Sequence, residues 1–98
     1  MADILTASKP QSTNEIRQWD FDFGPDLPAG ITVATATAVH VPPSGSASSP
    51  TVGTIVANVV PVRIGPLSAI GLHRLTVLAT HSDGTKSEMQ LGLEVAAL

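Results

Sequence analysis

The sequence predicts an all-β domain, a β-sandwich of about five to seven short antiparallel strands. Two observations carry this prediction. Segments in which apolar and polar residues alternate recur along the chain, and such alternation is typical of strands with one buried face. Eight glycines and eight prolines among 98 residues supply turns at close intervals, and no segment has a helical period of comparable strength.

The chain begins with a polar segment, residues 1–14, which we expect to form an N-terminal arm ahead of a sandwich domain at residues 15–98. Ile4 and Leu5 are its possible apolar anchor. Terminal segments are usually mobile unless tied down, but they can also become ordered on a neighbouring subunit. The sequence leaves both alternatives open.

The next segment, EIRQWDFDF at residues 15–23, alternates between an aromatic and a polar face. Trp19, Phe21 and Phe23 share the aromatic face, which predicts a strand that contributes heavily to the core. Residues 24–30 have the composition of a turn. Residues 31–41, ITVATATAVHV, carry small side chains on both faces. This strand either lies between close neighbours or contains a bulge that switches its inward face.

The middle of the chain combines a polar loop with a β-branched segment. Residues 42–53, PPSGSASSPTVG, are too rich in Pro, Gly and Ser to be expected in a sheet. Residues 54–64, TIVANVVPVRI, predict strand structure. Because Pro61 cannot donate a ladder hydrogen bond, we expect either an edge strand or two short strands broken near Pro61.

The clearest element is a hairpin at residues 71–95, with its turn at Ser82-Asp83-Gly84. A helical stripe through Leu72, Leu75 and Leu78 is the alternative, but the β-branched residues on the first arm favour a strand. The second arm alternates cleanly. The predicted core is led by seven residues from this hairpin and the aromatic strand: Trp19, Phe21, Phe23, Leu75, Val77, Leu91 and Leu93.

Composition excludes several functions. The net charge is −3 and the five basic residues are scattered, so a nucleic-acid partner is not expected. The absence of cysteine excludes disulfides and thiolate metal sites. No basic leader or apolar span of about 18 residues is present, so we expect synthesis in the cytoplasm and no membrane partner. Charged residues make up only 13% of the chain.

A run of carboxylates, D-F-D-F-G-P-D, contains Asp20, Asp22 and Asp26 and superficially resembles a calcium loop. Calcium requires six to eight oxygen ligands, and the later bidentate Glu of a complete loop is missing. Asp20 and Asp22 are also explained as the wet face of the aromatic strand. We therefore predict no metal site and no cofactor.

The histidines and serines give no catalytic constellation. His73 and His81 lie on one predicted strand about 26 Å apart, so they cannot share a ligand. His40 stands alone in the sequence, and a structural role with satisfied hydrogen bonds is expected for all three histidines. Ser68 lies between turn residues with no base marked for it, and no nucleophile motif occurs. We expect no catalytic residues and no enzymatic activity.

Two blocks of sequence resemble a known family. The pattern W-D-F-D-F-G-P-D-L-P-A-G-I-T-V-A-T-A-T, followed after a variable loop by G-L-H-R-L-T-V-L-A-T-H-S-D-G-T-K-S-E-M-Q-L-G-L-E-V, is similar to the small immunoglobulin-like virion proteins of tailed bacteriophages. These include fibre-tail adaptors and other short modules of heads and tails. The resemblance covers residues 15–95. His73 stands where such strands usually carry a tyrosine that bonds back to the chain.

The resemblance implies an immunoglobulin-like sandwich that acts as a non-enzymatic structural or assembly protein of the virion. Such a protein would be used in many copies in a head, neck or tail, as a fibre-tail adaptor or a capsid decoration. Its partners would be other virion proteins in a symmetric assembly. The alternative is a carbohydrate- or receptor-binding module of the same fold. That alternative is disfavoured because sugar-binding modules expose several aromatic residues, whereas here all of them lie on one strand that is expected to face inward.

Overall fold

The computed structural model describes residues 6–96. Strands dominate this part of the chain, and one short 3₁₀ turn follows the second strand, at Gly24–Asp26. The strands are β1 (Thr6–Ser12), β2 (Arg17–Asp22), β3 (Val33–Val41), β4 (Thr51–Val52), β5 (Val59–Ile64), β6 (Gly71–His81) and β7 (Lys86–Ala96). They form two packed sheets, so the predicted all-β sandwich is confirmed.

The first sheet has the order β1-β7-β6-β3, and the second has the order β2-β5-β4. In a constant-type immunoglobulin domain the first, second, fifth and fourth strands form one sheet and the third, sixth and seventh form the other. β2-β5-β4 and β3-β6-β7 reproduce that arrangement, whereas β1 lies beside β7 in the other sheet. Every pairing is antiparallel except that of β1 with β7, which is parallel.

Part of the expected N-terminal arm belongs to the sandwich. Residues 6–12 form β1, an edge strand whose register matches Gln11 with Val95 of β7. Gln11 is 2% exposed, and its side-chain amide donates to the Glu15 carbonyl at 3.1 Å and the Ile64 carbonyl at 3.3 Å. A single buried amide thus ties a polar strand to the second sheet. Residues 1–5, which include the expected anchor, lie outside the described residues.

The core lies between the sheets and follows the sequence prediction closely. Six of the seven residues expected to lead it are buried: Phe21, Phe23, Leu75, Val77, Leu91 and Leu93. Trp19 is the exception because it lies at the side of the sandwich, half-buried, with its indole N–H donating to the Gln11 side-chain oxygen at 3.2 Å. The Arg17 guanidinium covers its ring at 4.8 Å from the centroid.

β3 contains the bulge that was one of its two predicted alternatives. The register with β6 shifts between Val33 and Thr35. Val33 faces the core before the shift, and Ala38 and His40 face it afterwards, while Thr37 is exposed. A bulge inserts one residue into a strand and so reverses which alternate side chains point inward. This explains why small residues appear on both faces of the sequence pattern.

β5 runs through Pro61 as the central strand of its sheet, so both predictions for this segment are wrong. The Pro61 carbonyl accepts a hydrogen bond from the Gly53 N–H at 2.8 Å, on the side of β4. The donor that proline lacks would point the same way. β4 pairs with β5 only through Thr51 and Val52 and ends before this position. Even so, this short pairing corrects the expectation that residues 42–53 stay outside the sheets.

A tight turn joins β4 to β5 within residues 54–64, where the sequence predicts strand structure and no turn before Pro61. Val56 and Val59 exchange both backbone hydrogen bonds, at 3.2 and 2.9 Å. Between them Ala57 and Asn58 have φ values of 51° and 66°, the left-handed pair of a type I′ hairpin. The Asn58 side-chain oxygen also accepts a hydrogen bond from the Val33 N–H at 2.9 Å. This turn therefore holds the start of β3 as well.

The hairpin of β6 and β7 is confirmed. Leu75 lies opposite Leu91, and Val77 lies opposite Met89. The turn closes through hydrogen bonds between His81 and residues 84 and 85, and Gly84 has a φ of +90°. β6 lies between β7 and β3, which makes the hairpin the centre of the four-stranded sheet.

Candidate functional site

The carboxylates of the D-F-D-F-G-P-D run have structural roles on the surface. Asp20 and Asp22 are exposed on β2. The Asp22 carboxylate accepts a hydrogen bond from the Gly24 N–H at 2.9 Å, and the Asp20 carboxylate accepts one from the Gln18 amide at 3.0 Å. The side chain of Asp26 lies outside the described part. Within the residues that the structure describes, no three His, Asp or Glu side chains are grouped as metal ligands.

We predict that calcium does not stabilise the fold. A ligand that binds only the native state raises stability by RT ln(1 + [L]/Kd), so a genuine site would raise the melting temperature as calcium increases. The check is thermal unfolding at rising calcium concentration, with magnesium as the control. A rise specific to calcium that disappears in Asp22→Asn would contradict the structural interpretation of these carboxylates.

His40 and His73 form a buried pair that sequence reasoning missed. His40 Nε2 lies 2.7 Å from His73 Nδ1, and the two rings are nearly parallel with centroids 4.9 Å apart. The residues are 8% and 1% exposed. The view of His40 as isolated is therefore wrong. The pair arises because β3 and β6 are neighbours and both residues face inward, a juxtaposition that depends on the register between two distant strands.

The hydrogen bonds around this pair have a defined direction. His73 Nε2 lies 2.7 Å from the Ala69 carbonyl, which can only accept, so this nitrogen carries the proton. In the neutral ring His73 Nδ1 then accepts from His40 Nε2–H. The remaining His40 Nδ1 accepts from the Ser48 hydroxyl at 3.2 Å. One chain of hydrogen bonds thus runs from Ser48 on the surface to the Ala69 carbonyl.

His73 makes a hydrogen bond similar to the one that a tyrosine makes at the corner of immunoglobulin domains. That tyrosine lies near the start of the sixth strand and bonds back to the backbone a few residues upstream. His73 lies near the start of β6 and bonds to the carbonyl of Ala69, four residues upstream. Imidazole is shorter than phenol but has a second nitrogen. His40 satisfies that nitrogen from β3.

Ser48 and His40 lack the arrangement of a serine nucleophile. In acyl-transfer sites the backbone N–H of the nucleophile commonly helps to bind the oxyanion. Here the Ser48 N–H donates to the His40 carbonyl at 2.9 Å, in a small bridge that holds the loop against β3. Ser68, considered above, lies exposed in the loop before β6. The geometry at Ser48 is that of a loop anchor.

Burial lowers the pKa of His40 below its ordinary value of 6.5, and the neighbouring His73 adds to this shift. The pair can take up one proton without losing a hydrogen bond, since His40 Nδ1–H can then donate to the Ser48 hydroxyl.

We predict that stability falls as the pH drops below 6.5. The unfolded chain binds a proton at His40 more readily than the folded chain, so acid favours unfolding. The contribution of neutral His40 to the stability of the fold is complete above pH 6.5 and is lost as the pH falls towards the lowered pKa of the folded state. Urea unfolding between pH 7.5 and 5 measures this loss. His40→Gln keeps a donor towards His73 but does not titrate. An equal pH dependence in both proteins would contradict the assignment to His40.

His81 anchors the far end of β6 in a second network. Its Nδ1 lies 2.9 Å from the Thr85 hydroxyl, and its Nε2 lies 2.9 Å from the Ser87 hydroxyl. The Thr85 hydroxyl and N–H both donate to the Asp83 carboxylate, and these hydrogen bonds lower the pKa of Asp83. All three histidines thus have partners at both ring nitrogens, as expected for structural histidines.

One side of the sandwich is formed by two strands that carry no charged residue. β3 and β4 lie there in contact, one at the end of each sheet. No Asp, Glu, Lys or Arg occurs anywhere in residues 27–62, a segment that contains both strands and their connecting loop. We call the exposed surface of residues 33–52 the uncharged edge. On it Val39 and Val41 are 41% and 42% exposed.

The opposite side has the contrary character. β1 and β2 lie there, and their exposed side chains include Lys9, Arg17, Asp20 and Asp22. The charged residues are therefore unevenly distributed, and the strands β3 and β4 carry none of them. The uncharged segment can be read from the sequence, but its position on one side of the sandwich follows only from the strand order.

No protein-family model matches the chain, and no curated protein matches it significantly. Within residues 6–96, no helix has the length and apolar character needed to cross a bilayer.

Proposed function

We propose that this protein is a non-enzymatic structural or assembly protein of a tailed-phage virion. It would act in many copies as a head, neck or tail component of the fibre-tail adaptor or capsid decoration type. The observation that carries the proposal is the uncharged edge, because the centres of protein interfaces are depleted in charged residues. The sequence resemblance supports the virion as the setting, and the immunoglobulin-like connectivity agrees with it.

The buried part of the molecule supports the proposal of a rigid module that binds its partners through its surface. The buried polar side chains Gln11, His40, His73, His81 and Ser87 all take part in hydrogen bonds within the chain. Their hydrogen-bonding capacity is used to hold strands and loops in place. Weak contacts through an uncharged surface become firm when they are repeated around a symmetric particle, since linked sites bind at a high effective concentration.

The aromatic residues argue against the alternative, a carbohydrate-binding module. Phe21 and Phe23 are 7% and 0% exposed, and the ring of Trp19 is covered by the Arg17 guanidinium. Sugar recognition by stacking needs an open aromatic face. These three residues include every Phe, Trp and Tyr of the chain, so sugar stacking receives no support from them.

The proposal is tested by the copy number of the protein in purified virions, measured by mass spectrometry relative to the major capsid protein. We expect a fixed stoichiometry that matches the symmetry of one particle component. In a second experiment, purified protein is added to particles assembled without it. The binding of the full chain is compared with that of a variant lacking residues 1–5. A deletion of residues 1–14 would remove β1 and Gln11 and would therefore test folding instead. Absence of the protein from virions, together with no binding, would overturn the proposal.

A further inference from the structure

Within residues 6–96 the sandwich has four edge strands, and three of them carry features that discourage pairing with another chain. β1 carries Lys9 and Pro10, and β2 carries the exposed Asp20 and Asp22. β4 is only two residues long. Charges, prolines and short length are the usual means by which proteins keep open strand edges from associating. β3 lacks all three after its bulge.

On its open side, β3 directs backbone N–H and C=O groups outward, where a further strand could bond to them. The N–H and C=O of His40 point away from β6, because both bond to Ser48, at 2.8 and 2.9 Å. Alternate residues of a strand point the same way, so the backbone groups of Ala36 and Ala38 are also directed outward. Within residues 6–96, β3 has no neighbouring strand on this side. The side chains that border it, Thr35 and Thr37, are exposed and uncharged.

We propose that β3 pairs antiparallel with β3 of a second copy, about a two-fold axis that passes beside Thr37. Ala36 of each copy exchanges both backbone hydrogen bonds with Ala38 of the other, and the two Thr37 residues face each other as the close, non-hydrogen-bonded pair between them. The two four-stranded sheets then join into one continuous sheet. This inference names the partner of the uncharged edge and for its biological setting rests on the proposed assembly function.

Self-association fits this edge better than pairing with a different protein, because the edge is uncharged. A two-fold contact is isologous, so each residue approaches its own copy, and any charge near the axis would repel itself. No residue from Thr35 to Val39 is charged. A pairing between threonines across strands is favourable. The bridge from His40 to Ser48 occupies the edge beyond Val39, which confines the pairing to a short segment, and an isologous contact closes as a dimer instead of a filament.

The first test is sedimentation equilibrium of the purified full chain across a range of concentrations. We expect the mean mass to approach twice that of one chain, and Thr37→Lys to remain a monomer because two ammonium groups would meet at the axis. The matched control is Gln18→Lys, which adds the same charge to the edge strand β2 and should still dimerise. A monomeric wild type at every concentration overturns the proposal, as does a dimer disrupted by Gln18→Lys but not by Thr37→Lys.

The second test does not depend on a charged variant. The chain contains no cysteine, so Thr37→Cys places one thiol at the proposed axis. Non-hydrogen-bonded pairs in antiparallel sheets have Cα atoms about 4.5 Å apart, within the range that a disulfide can bridge. We expect mild oxidation to give a disulfide-linked dimer quickly, and Gln18→Cys to react much more slowly. Equal rates for the two variants would overturn the two-fold arrangement.

These tests use purified protein, so they separate this inference from the proposed function. A monomer that is nevertheless present in virions at fixed stoichiometry would overturn the dimer alone and would make another virion protein the partner of β3. A dimer disrupted by Thr37→Lys in a protein that is absent from virions would overturn the virion role while supporting the self-association of β3.

Discussion

Replacing Leu75 with alanine is expected to lower the free energy of unfolding by about 2 to 5 kcal/mol. Leu75 is completely buried on β6, opposite Leu91 on β7 and His40 on β3. The loss combines the transfer energy of the removed carbon atoms with the cost of the cavity. A domain of about 100 residues has a thin core that cannot easily refill the space, and its total stability is commonly only about 5 to 15 kcal/mol.

Leu72→Ala is the matched control, because Leu72 lies on the same strand but is 57% exposed. The same chemical change there should alter stability by less than about 0.5 kcal/mol. Urea unfolding followed by circular dichroism measures both variants, provided that the slope of free energy against denaturant stays constant. Similar losses in the two variants would mean that β6 does not present alternate faces to core and solvent.

The sequence identified the elements that are specified locally. The β6–β7 hairpin needs only alternating side chains on two adjacent segments and an Asp-Gly turn between them, and all of these can be read from neighbouring residues. The aromatic strand was found for the same reason. Trp19 departed from its prediction because alternation identifies a face of a strand, whereas burial also depends on how far along the sandwich that face extends.

Elements specified by distant contacts were missed or left open. β1 is polar and gives little strand signal; a buried amide at Gln11 and pairing with the opposite end of the chain hold it in place. The turn at Ala57-Asn58 was missed because alanine is an uncommon residue at positive φ, although asparagine tolerates that conformation well. Pro61 was misjudged because its position relative to the end of β4 decides whether its missing donor matters.

The same distinction holds for the candidate site. His40 and His73 lie in separate segments, and only the register of β3 with β6 brings them together. A buried pair of this kind can be suspected when a histidine replaces a tyrosine at the corner, because its second nitrogen then needs a partner. The uncharged edge combines a feature of the sequence with one of topology, since residues 27–62 happen to supply the edge strand of each sheet.

The largest local effect outside the core is expected at Gly65, where the end of β5 meets the turn between β1 and β2. Its φ is +125°, a conformation that other residues rarely adopt. A Cβ atom built there would collide with the Glu15 carbonyl oxygen and lie 3.0 Å from both the Gln11 amide nitrogen and the Ile16 Cα. Two of these contacts are with backbone, which cannot rotate away.

Gly65→Ala should therefore destabilise the protein by about 2 to 5 kcal/mol. Backbone strain in the left-handed region contributes about 1 to 2 kcal/mol, and overpacking contributes about 1 to 3 kcal/mol. The Gln11 amide donates to Glu15 and Ile64 on either side of this site, so displacing it would also release β1. Hydrogen exchange should show faster opening of β1 than of β6 in the variant.

Gly84→Ala separates the two contributions to the Gly65 result. Gly84 also has a positive φ, +90°, but nothing lies within 4 Å of the position its Cβ would occupy. This substitution should cost only the backbone strain, about 1 to 2 kcal/mol. The difference between the two variants then measures the steric contact at Glu15 and Gln11. Equal losses would mean that the β1–β2 turn can move away from Gly65, and the anchoring of β1 through Gln11 would have to be abandoned.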